Sequence, residues 1–178
     1  MNQAAEVTED AMTAAAARGE AAFNDADNVD DMYLTFALAD EEYGVGIGVV
    51  TEIVGMQRIM SVPDMPHYIK GVINLRGKVI PLMDVRLRFG MNERPYDDRT
   101  VVIVLEVNDA PMGLIVDRVR EVIDIPDGNI DSANSFGSGD GRSVVSGLGR
   151  VDERVVILLD VPLLVSDMDV IAPKLAKS

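Results

Sequence analysis

From Tyr33 onward, hydrophobic residues recur at every second position, which is the spacing of a β-strand with one buried face. In two such segments the hydrophobic positions are Leu34, Phe36, Leu38, Ile103, Leu105 and Val107. Each segment runs into a polar stretch, Asp40–Glu42 or Asn108–Asp109, of the kind that forms turns. The pattern therefore predicts hairpins, and the abundance of valine between residues 33 and 165 favours an all-β core.

The chain also repeats itself in two blocks. Residues 34–54 align with residues 103–123 at a constant offset of 69, and residues 78–85 align with residues 154–161 at an offset of 76. The second copy carries an additional Ser- and Gly-rich loop, residues 132–143, which accounts for the change in offset. The repeat predicts two related β subdomains, roughly 33–97 and 98–165. Each is small for independent stability, so we expect them to pack on each other.

The remaining segments carry weaker signals. Residues 1–31 contain ten alanines, eight acids and one base, a composition that predicts an acidic flexible tail over residues 1–32. Residues 166–178 are predicted to form a C-terminal tail or a short helix. Asp64 as a cap, an early proline, Lys70 and the stop at Gly71 predict a helix of one to two turns over residues 65–70.

Charge and composition exclude several classes of function. The 178 residues carry 30 acids and 16 bases, a net charge of −14, which would repel nucleic acid and anionic membranes. There is no cysteine, so disulfides, thiolate metal sites and thiol nucleophiles are excluded. The apolar runs are too short to span a bilayer, and the acidic start differs from a basic signal peptide, so we expect a cytoplasmic protein with no membrane insertion.

The sequence offers little for catalysis, and we predict no enzyme, no metal and no cofactor. His67 is the single histidine, which leaves no plausible set of nitrogen ligands for a metal ion. The glycine-rich string Gly44–Gly48 is not a GxGxxG motif. In the second repeat Gly44 returns as Gly113, whereas Gly46 and Gly48 return as Ile115 and Asp117, which favours a structural role for these glycines.

One turn stands out because the repeat does not preserve it. Three charged positions are matched between the copies: Glu52 with Glu121, Lys78 with Arg154 and Asp84 with Asp160. Arg76, in the turn Asn74–Gly77, is instead matched by Asp152. An arginine at a rim is a frequent contact residue for a partner protein. It could equally pair with a nearby acid such as Asp84, so both interpretations stay open on these grounds.

Five segments together resemble the CheW family, the coupling proteins of bacterial chemotaxis. These segments are YLTFALADEEYGVGI (33–47), VVTEIV (49–54), VPDMPHYIKGVINLRGKVIPLMDVRLRFG (62–90), RTVVIVLEV (99–107) and MGLIVDRVREVIDIP (112–126). The resemblance covers essentially all of residues 33–165. It implies two packed SH3-like β barrels of five strands each and no enzymatic activity. It also implies a cytoplasmic adaptor, recruited to membrane-associated receptor arrays, that bridges chemoreceptor tips and the regulatory domain of the histidine kinase CheA.

The resemblance also implies two sets of contact residues. The receptor-facing set is Val50, Glu52, Ile53 and Arg76. The kinase-facing set, on the second subdomain, is Val101, Val102 and Gly113. Other hypotheses stay open: a CheW-like regulatory module of another two-component pathway, a regulatory fragment of a larger kinase, or a small-molecule-binding β-barrel enzyme.

Overall fold

The computed structural model describes residues 30–132 and 144–166. Within them lie two helices of four residues, α1 (Val85–Arg88) and α2 (Val161–Leu164), and two 3-10 turns, Ile47–Val49 and Asp127–Asn129. The strands are β1 (Met32–Leu38), β2 (Glu41–Gly46), β3 (Val50–Gly55), β4 (Ile69–Leu75), β5 (Lys78–Asp84), β6 (Val101–Val107), β7 (Ala110–Val116), β8 (Arg118–Asp124), β9 (Ile130–Ser132), β10 (Val145–Val151) and β11 (Arg154–Leu159). The predictions for residues 1–29, 133–143 and 167–178 lie outside the described residues.

The strands form two sheets, and the predicted all-β class is confirmed. One sheet has five strands in the order β3-β6-β7-β5-β4, and the other has six in the order β8-β1-β2-β11-β10-β9. Most neighbours are antiparallel, but β5 pairs with β7, and β11 with β2, in parallel. The alternation that predicted β1 and β6 places Leu34 and Ile103 with their side chains in the core.

The two sheets do not follow the predicted division between residues 97 and 98. Hairpin β1–β2 from the first repeat pairs with β8 and β11 of the second, and hairpin β6–β7 from the second pairs with β3 and β5 of the first. The repeats thus exchange their first hairpins, and the contiguous halves are not the units that form the sheets. The alignment identifies equivalent strands, but it cannot say which copy's hairpin completes which sheet.

The exchange produces one large core between the sheets and a smaller core within each. The interior core of the five-stranded sheet contains Ile73, Ile80, Leu82, Val102, Val104 and Ile115. That of the six-stranded sheet contains Ile125, Val156 and Leu158. The shared core is the largest and draws on both repeats, through Leu34, Phe36, Leu38, Val45, Ile69, Met83, Val85, Val101, Ile103, Leu105, Val107, Met112, Leu114, Val116, Val122, Leu159, Val161, Leu164 and Val165. Mutual burial of the two sheets is therefore the main source of hydrophobic stabilisation.

The repeat explains two features that recur at equivalent positions. Asp84 caps α1 by accepting a hydrogen bond from the Leu87 amide at 3.3 Å, and Asp160 caps α2 in the same way. Gly71 and Gly147 each lie against a neighbouring backbone. A Cβ at Gly71 would overlap the carbonyl oxygen of Met60, and one at Gly147 would lie 2.8 Å from the carbonyl oxygen of Asp131.

Two local predictions are wrong. The helix predicted over residues 65–70 is not formed. His67 and Tyr68 form a turn, and β4 begins at Ile69, which donates a hydrogen bond to the Pro66 carbonyl and pairs with Met83 in the sheet. Glu41 and Glu42 belong to β2 and not to the preceding turn, which is confined to Ala39 and Asp40. In both places the pairing partner lies far away in the sequence, so the local pattern could not reveal it.

A nearly buried ion pair ties α1 to the β7–β8 junction. Asp117 accepts hydrogen bonds at 2.8 and 2.7 Å from Arg86 of α1. It also accepts one at 2.8 Å from the Ala39 amide and one at 3.2 Å from Arg94. Burial acts to raise the pKa of the Asp117 carboxyl, but these hydrogen bonds and the arginine charges outweigh burial and leave that pKa below its ordinary value.

We expect Gly71→Ala to lower the free energy of unfolding by about 2–4 kcal/mol, because the added methyl meets fixed backbone and the φ of 141° is unfavourable for alanine. The measurement is urea denaturation. Gly46→Ala is the matched control, since nothing lies within 4 Å of its Cβ position. Equal stability of the two variants would contradict the close approach.

We expect Asp117→Asn to cost about 2–4 kcal/mol at neutral pH, because it leaves Arg86 without its charged partner. A lowered folded pKa stabilises the fold above the ordinary value of 3.8 and loses this contribution as pH falls below it. The difference in the free energy of unfolding between wild type and variant, measured by urea denaturation, should therefore be constant above about pH 5 and become smaller towards about pH 3. Asp98→Asn, at an exposed position, is the control, and a difference independent of pH would contradict the assignment.

Candidate functional site

A shallow cavity of about 160 Å³ opens on the five-stranded sheet between β3 and the β4–β5 turn. Within the described strands, β3 is paired only with β6 and stands at the end of the sheet order. Residues from both repeats line the cavity, which we call the rim groove: Thr51, Glu52, Leu75, Arg76, Lys78, Ile80, Val104, Glu106 and Pro111. Its apolar lining comes from the partly exposed Leu75 and Pro111 above the buried Ile80 and Val104, and its edge is charged. Such a groove suits a protein partner better than a small-molecule substrate.

The charged edge is an ion pair between Arg76 and Glu52. Arg76 stands at φ 52° and Gly77 at φ 86°, the positive values that a tight hairpin turn requires. The Asn74 side chain accepts a hydrogen bond from the Gly77 amide at 2.9 Å and holds the turn closed. Arg76 thus pairs with an acid, but the acid is Glu52 and not Asp84, whose carboxylate caps α1 and accepts a hydrogen bond from Tyr96.

The ion pair is placed for contact more than for stability. The Arg76 side chain is 68% exposed and the Glu52 side chain 31% exposed. Ion pairs at this exposure contribute about 0–1 kcal/mol to folding, because water already solvates both charges. The guanidinium keeps donors and a flat apolar face free towards solvent. The pair therefore orients Arg76 at the rim of the groove at little cost to the fold.

The structure places the predicted receptor-facing residues in two different settings. Glu52 and Arg76 meet at the groove. Val50 and Ile53 lie on the same strand but are only partly exposed and pack against the shared core. Neither lines the rim groove. The structure therefore brings the two charged residues of the predicted set together, whereas its two apolar residues pack against the shared core.

The predicted kinase-facing residues are in the core. Val101 faces the shared core, Val102 faces the interior of the five-stranded sheet, and Gly113 lies under Leu82. All three belong to central strands, β6 and β7, and are buried. Both valine side chains are buried and Gly113 has no side chain, so none of the three offers surface to a partner and we assign them to the packing of the fold. The strands that the resemblance assigned to the kinase contact are buried on both faces.

The six-stranded sheet carries charged residues at the positions equivalent to those of the rim groove on the five-stranded sheet. Glu42, which is the counterpart of Pro111, is only 12% exposed and lies 3.4 Å from Arg120 and 3.8 Å from Arg154. Arg154 also bonds Glu121 at 2.9 Å, and Asp152 occupies the place of Arg76 with a φ of 55°. The two sheets therefore present different chemistry at equivalent positions. The asymmetry noted in the sequence extends from one turn to a whole surface.

Several groove residues escaped sequence reasoning. Lys78 and Ile80 follow Arg76 at every second position and therefore lie on the same face of the strand. This alternation is visible in the sequence and could have identified them. Val104, Glu106 and Pro111 come from the exchanged hairpin, and no local pattern could have placed them beside Arg76.

Other chemistry is limited in the described part of the chain. His67 is exposed, and its ring packs edge-on against the Tyr68 ring with 5.5 Å between the ring centroids. Across residues 30–132 and 144–166, no three His, Asp or Glu side chains gather as a metal site would require. No helix in these residues is long and apolar enough to cross a membrane.

Comparison with known proteins decides the family. The profile of the CheW-like domain matches residues 32–169. The chain belongs to the CheW-like domain family. The chemotaxis protein CheW of Klebsiella aerogenes is 36% identical over 153 residues, which cover 85% of this chain and 92% of that protein. The CheW of Helicobacter pylori is also 36% identical, over 129 residues that cover 72% and 78% of the two chains.

A solved CheW structure matches the fold of this CheW-like domain. The scaffolding protein TtCheW from Thermoanaerobacter tengcongensis superposes with a TM-score of 0.67 at 35% identity, covering 74% of this chain and 89% of that one. The predicted pair of SH3-like β barrels is thereby confirmed. The barrel built on the six-stranded sheet carries the short β9 in addition to the five strands that we predicted. The chain is a scaffold of the chemotaxis type.

We expect Arg76→Asp to change the free energy of unfolding by less than about 1 kcal/mol, because the Arg76–Glu52 pair is exposed. Aspartate also tolerates positive φ, as Asp152 does at the equivalent turn position. Urea denaturation and circular dichroism check this expectation. Val151→Asp, at a half-buried position packed on the interior core of the six-stranded sheet, is a comparison that should lose more stability. A large loss in Arg76→Asp would mean that the turn is structural.

Proposed function

We propose that this CheW-like domain is a non-enzymatic adaptor that couples chemoreceptors to the histidine kinase CheA. The observation that carries the proposal is the rim groove, an open cavity with mixed polar and apolar lining, edged by an exposed ion pair that contributes little to folding. The relatives with the highest identity reported above are chemotaxis proteins, and the matched structure is a scaffolding protein. The adaptor works in the cytoplasm and is recruited to membrane-associated receptor arrays.

The receptor is proposed to bind at the rim groove through the helical hairpin at its cytoplasmic tip. An amphipathic helix places its apolar face in a groove and its polar residues at the edge. The partly exposed apolar residues of the lining, Leu75 and Pro111, fit the first requirement, and Arg76 with Glu52 fits the second. Val50 and Ile53 support β3 from below and fix the position of Glu52.

The kinase is proposed to bind the other barrel, so that both partners can be held at once. Among the described residues, Val155 on β11 is the most exposed large hydrophobic side chain, at 52%. It belongs to the six-stranded sheet, away from the rim groove. An exposed valine of this kind suits an apolar contact with a related β barrel. Signal transmission is then a coupling free energy: binding of one partner shifts the affinity or the geometry of the contact with the other.

We expect Arg76→Asp to weaken binding of a receptor cytoplasmic fragment by about tenfold or more, the scale of a lost interface arginine, and to leave kinase binding intact. Val155→Asp is the opposite variant, and it should weaken kinase binding while receptor binding persists. Titration calorimetry with each partner gives both constants. Kinase autophosphorylation in reconstituted arrays, with and without the adaptor, tests the coupling itself.

The charge-swapped double variant Glu52→Arg/Arg76→Glu separates contact from orientation. It keeps an ion pair at the rim but presents the receptor with reversed charges. Receptor binding should stay weak if Arg76 touches the receptor. Full recovery of binding would mean that the pair only shapes the groove. Equal loss of both partners in Arg76→Asp, or no effect of this protein on kinase activity, would overturn the proposal.

A further inference from the structure

Four arginines gather on one side of the molecule, away from the rim groove. Arg94 and Arg99 come from the segment that follows α1, and Arg118 and Arg120 come from β8. Arg94, Arg99 and Arg118 line one polar cavity of about 210 Å³, and Arg118 and Arg120 line a second, open one. We call these four side chains the arginine surface. Because Arg118 is shared by the two cavities, the surface is continuous.

Part of this positive charge is not neutralised by the fold. Arg94 contacts Asp97 and Asp117, and Arg120 lies 3.4 Å from Glu42. Arg99 and Arg118 are exposed, and among the described residues neither guanidinium forms an ion pair, although the whole chain carries nearly two acids for each base. A surface with two uncommitted guanidinium groups attracts carboxylates.

The remainder of the chain makes its own N-terminal segment the natural source of those carboxylates. Residues 1–29 hold six acids and one base, a net charge of −5. Residues 30–166 hold 22 acids and 13 bases, a net charge of −9. Two negatively charged bodies repel each other over most of their surfaces. Contact between them is favoured only where the larger one is locally positive.

The connection point is close to the arginine surface. The segment joins the fold at Met32, where β1 pairs with Asp124 of β8, and Arg118 pairs with Ala37 of β1. Arg118 is therefore five residues along β1 from the connection, roughly 17 Å at the rise of a strand. The acids Glu20, Asp25 and Asp27 precede Met32 by twelve to five residues, a reach of roughly 17–40 Å if extended.

We propose that residues 1–29 dock on the arginine surface of their own chain through their carboxylates, with Arg99 and Arg118 as the principal contacts. Exposed guanidinium–carboxylate contacts are individually weak, so docking depends on their number and on the high local concentration that the short connection provides. The docked segment covers the outer edge of β8 and keeps other acidic proteins from it. This proposal does not depend on the adaptor function proposed above.

The absence of cysteine allows a direct test in the full chain. A nitroxide is attached to Ala21→Cys, the single thiol of that variant, and paramagnetic broadening of backbone amides is measured by NMR. We expect strong broadening at residues 94–99 and 117–121 and weak broadening around Met60. Raising the salt to about 0.5 M, which shortens the Debye length to about 4 Å, should reduce the broadening at least roughly twofold.

The double variant Arg99→Glu/Arg118→Glu should remove the localised broadening. Arg58→Glu, at an exposed position far along the chain from the surface, is the charge-matched control and should retain it. Circular dichroism checks that the variants fold. Broadening that is unchanged in the double variant, or equal over the whole molecule, would overturn the proposal. As a further check, the nitroxide-labelled chain is diluted and mixed with an excess of chain that carries no nitroxide. Loss of the broadening in that mixture would assign the contact to a second copy and would overturn docking within one chain.

Discussion

The exchange of hairpins between the two repeats is the constraint on which the rest of the structure depends. Each sheet is completed by strands that the other repeat supplies, and the parallel pairings β5–β7 and β2–β11 join the two. The shared core between the sheets is larger than either interior core. Neither repeat can bury its apolar surface alone, so the molecule folds as one body and fixes the relative position of its two outer faces.

A shared scaffold leaves the outer positions free to differ. Caps and close-packed glycines recur because both copies need them, as Asp84 and Asp160 illustrate. The surfaces that the fold does not require have diverged. Pro111 lines an open cavity in one barrel, and the equivalent residue of the other barrel is Glu42, which forms an ion pair with Arg120. Two related barrels thereby offer two chemically distinct surfaces, which is what an adaptor for two partners needs.

The sequence was most informative where structure is local. Period-two alternation predicted β1 and β6, because the alternation of a strand depends on neighbours within a few residues. The internal repeat matched the aspartates Asp84 and Asp160, which cap equivalent short helices. The local sequence pattern misplaced a helix at residues 65–70 and took Glu42 for a solvated turn residue, because distant strands decide both. The family resemblance assigned Val102 to an interface, and the sequence could not correct this because a strand buried on both faces and an apolar contact strand have the same composition.

The weak energetics of the Arg76–Glu52 pair has a functional consequence. A charge that the fold needed, such as Asp117, could not exchange partners without loss of stability. Arg76 is held at the rim by a pair whose net contribution to folding is small, so a binding partner can recruit the guanidinium without destabilising the barrel. The nearly buried Arg86–Asp117 pair stabilises the fold, whereas the exposed Arg76–Glu52 pair at the groove is dispensable for folding. That division allows the surface to change partners while the exchanged hairpins stay fixed.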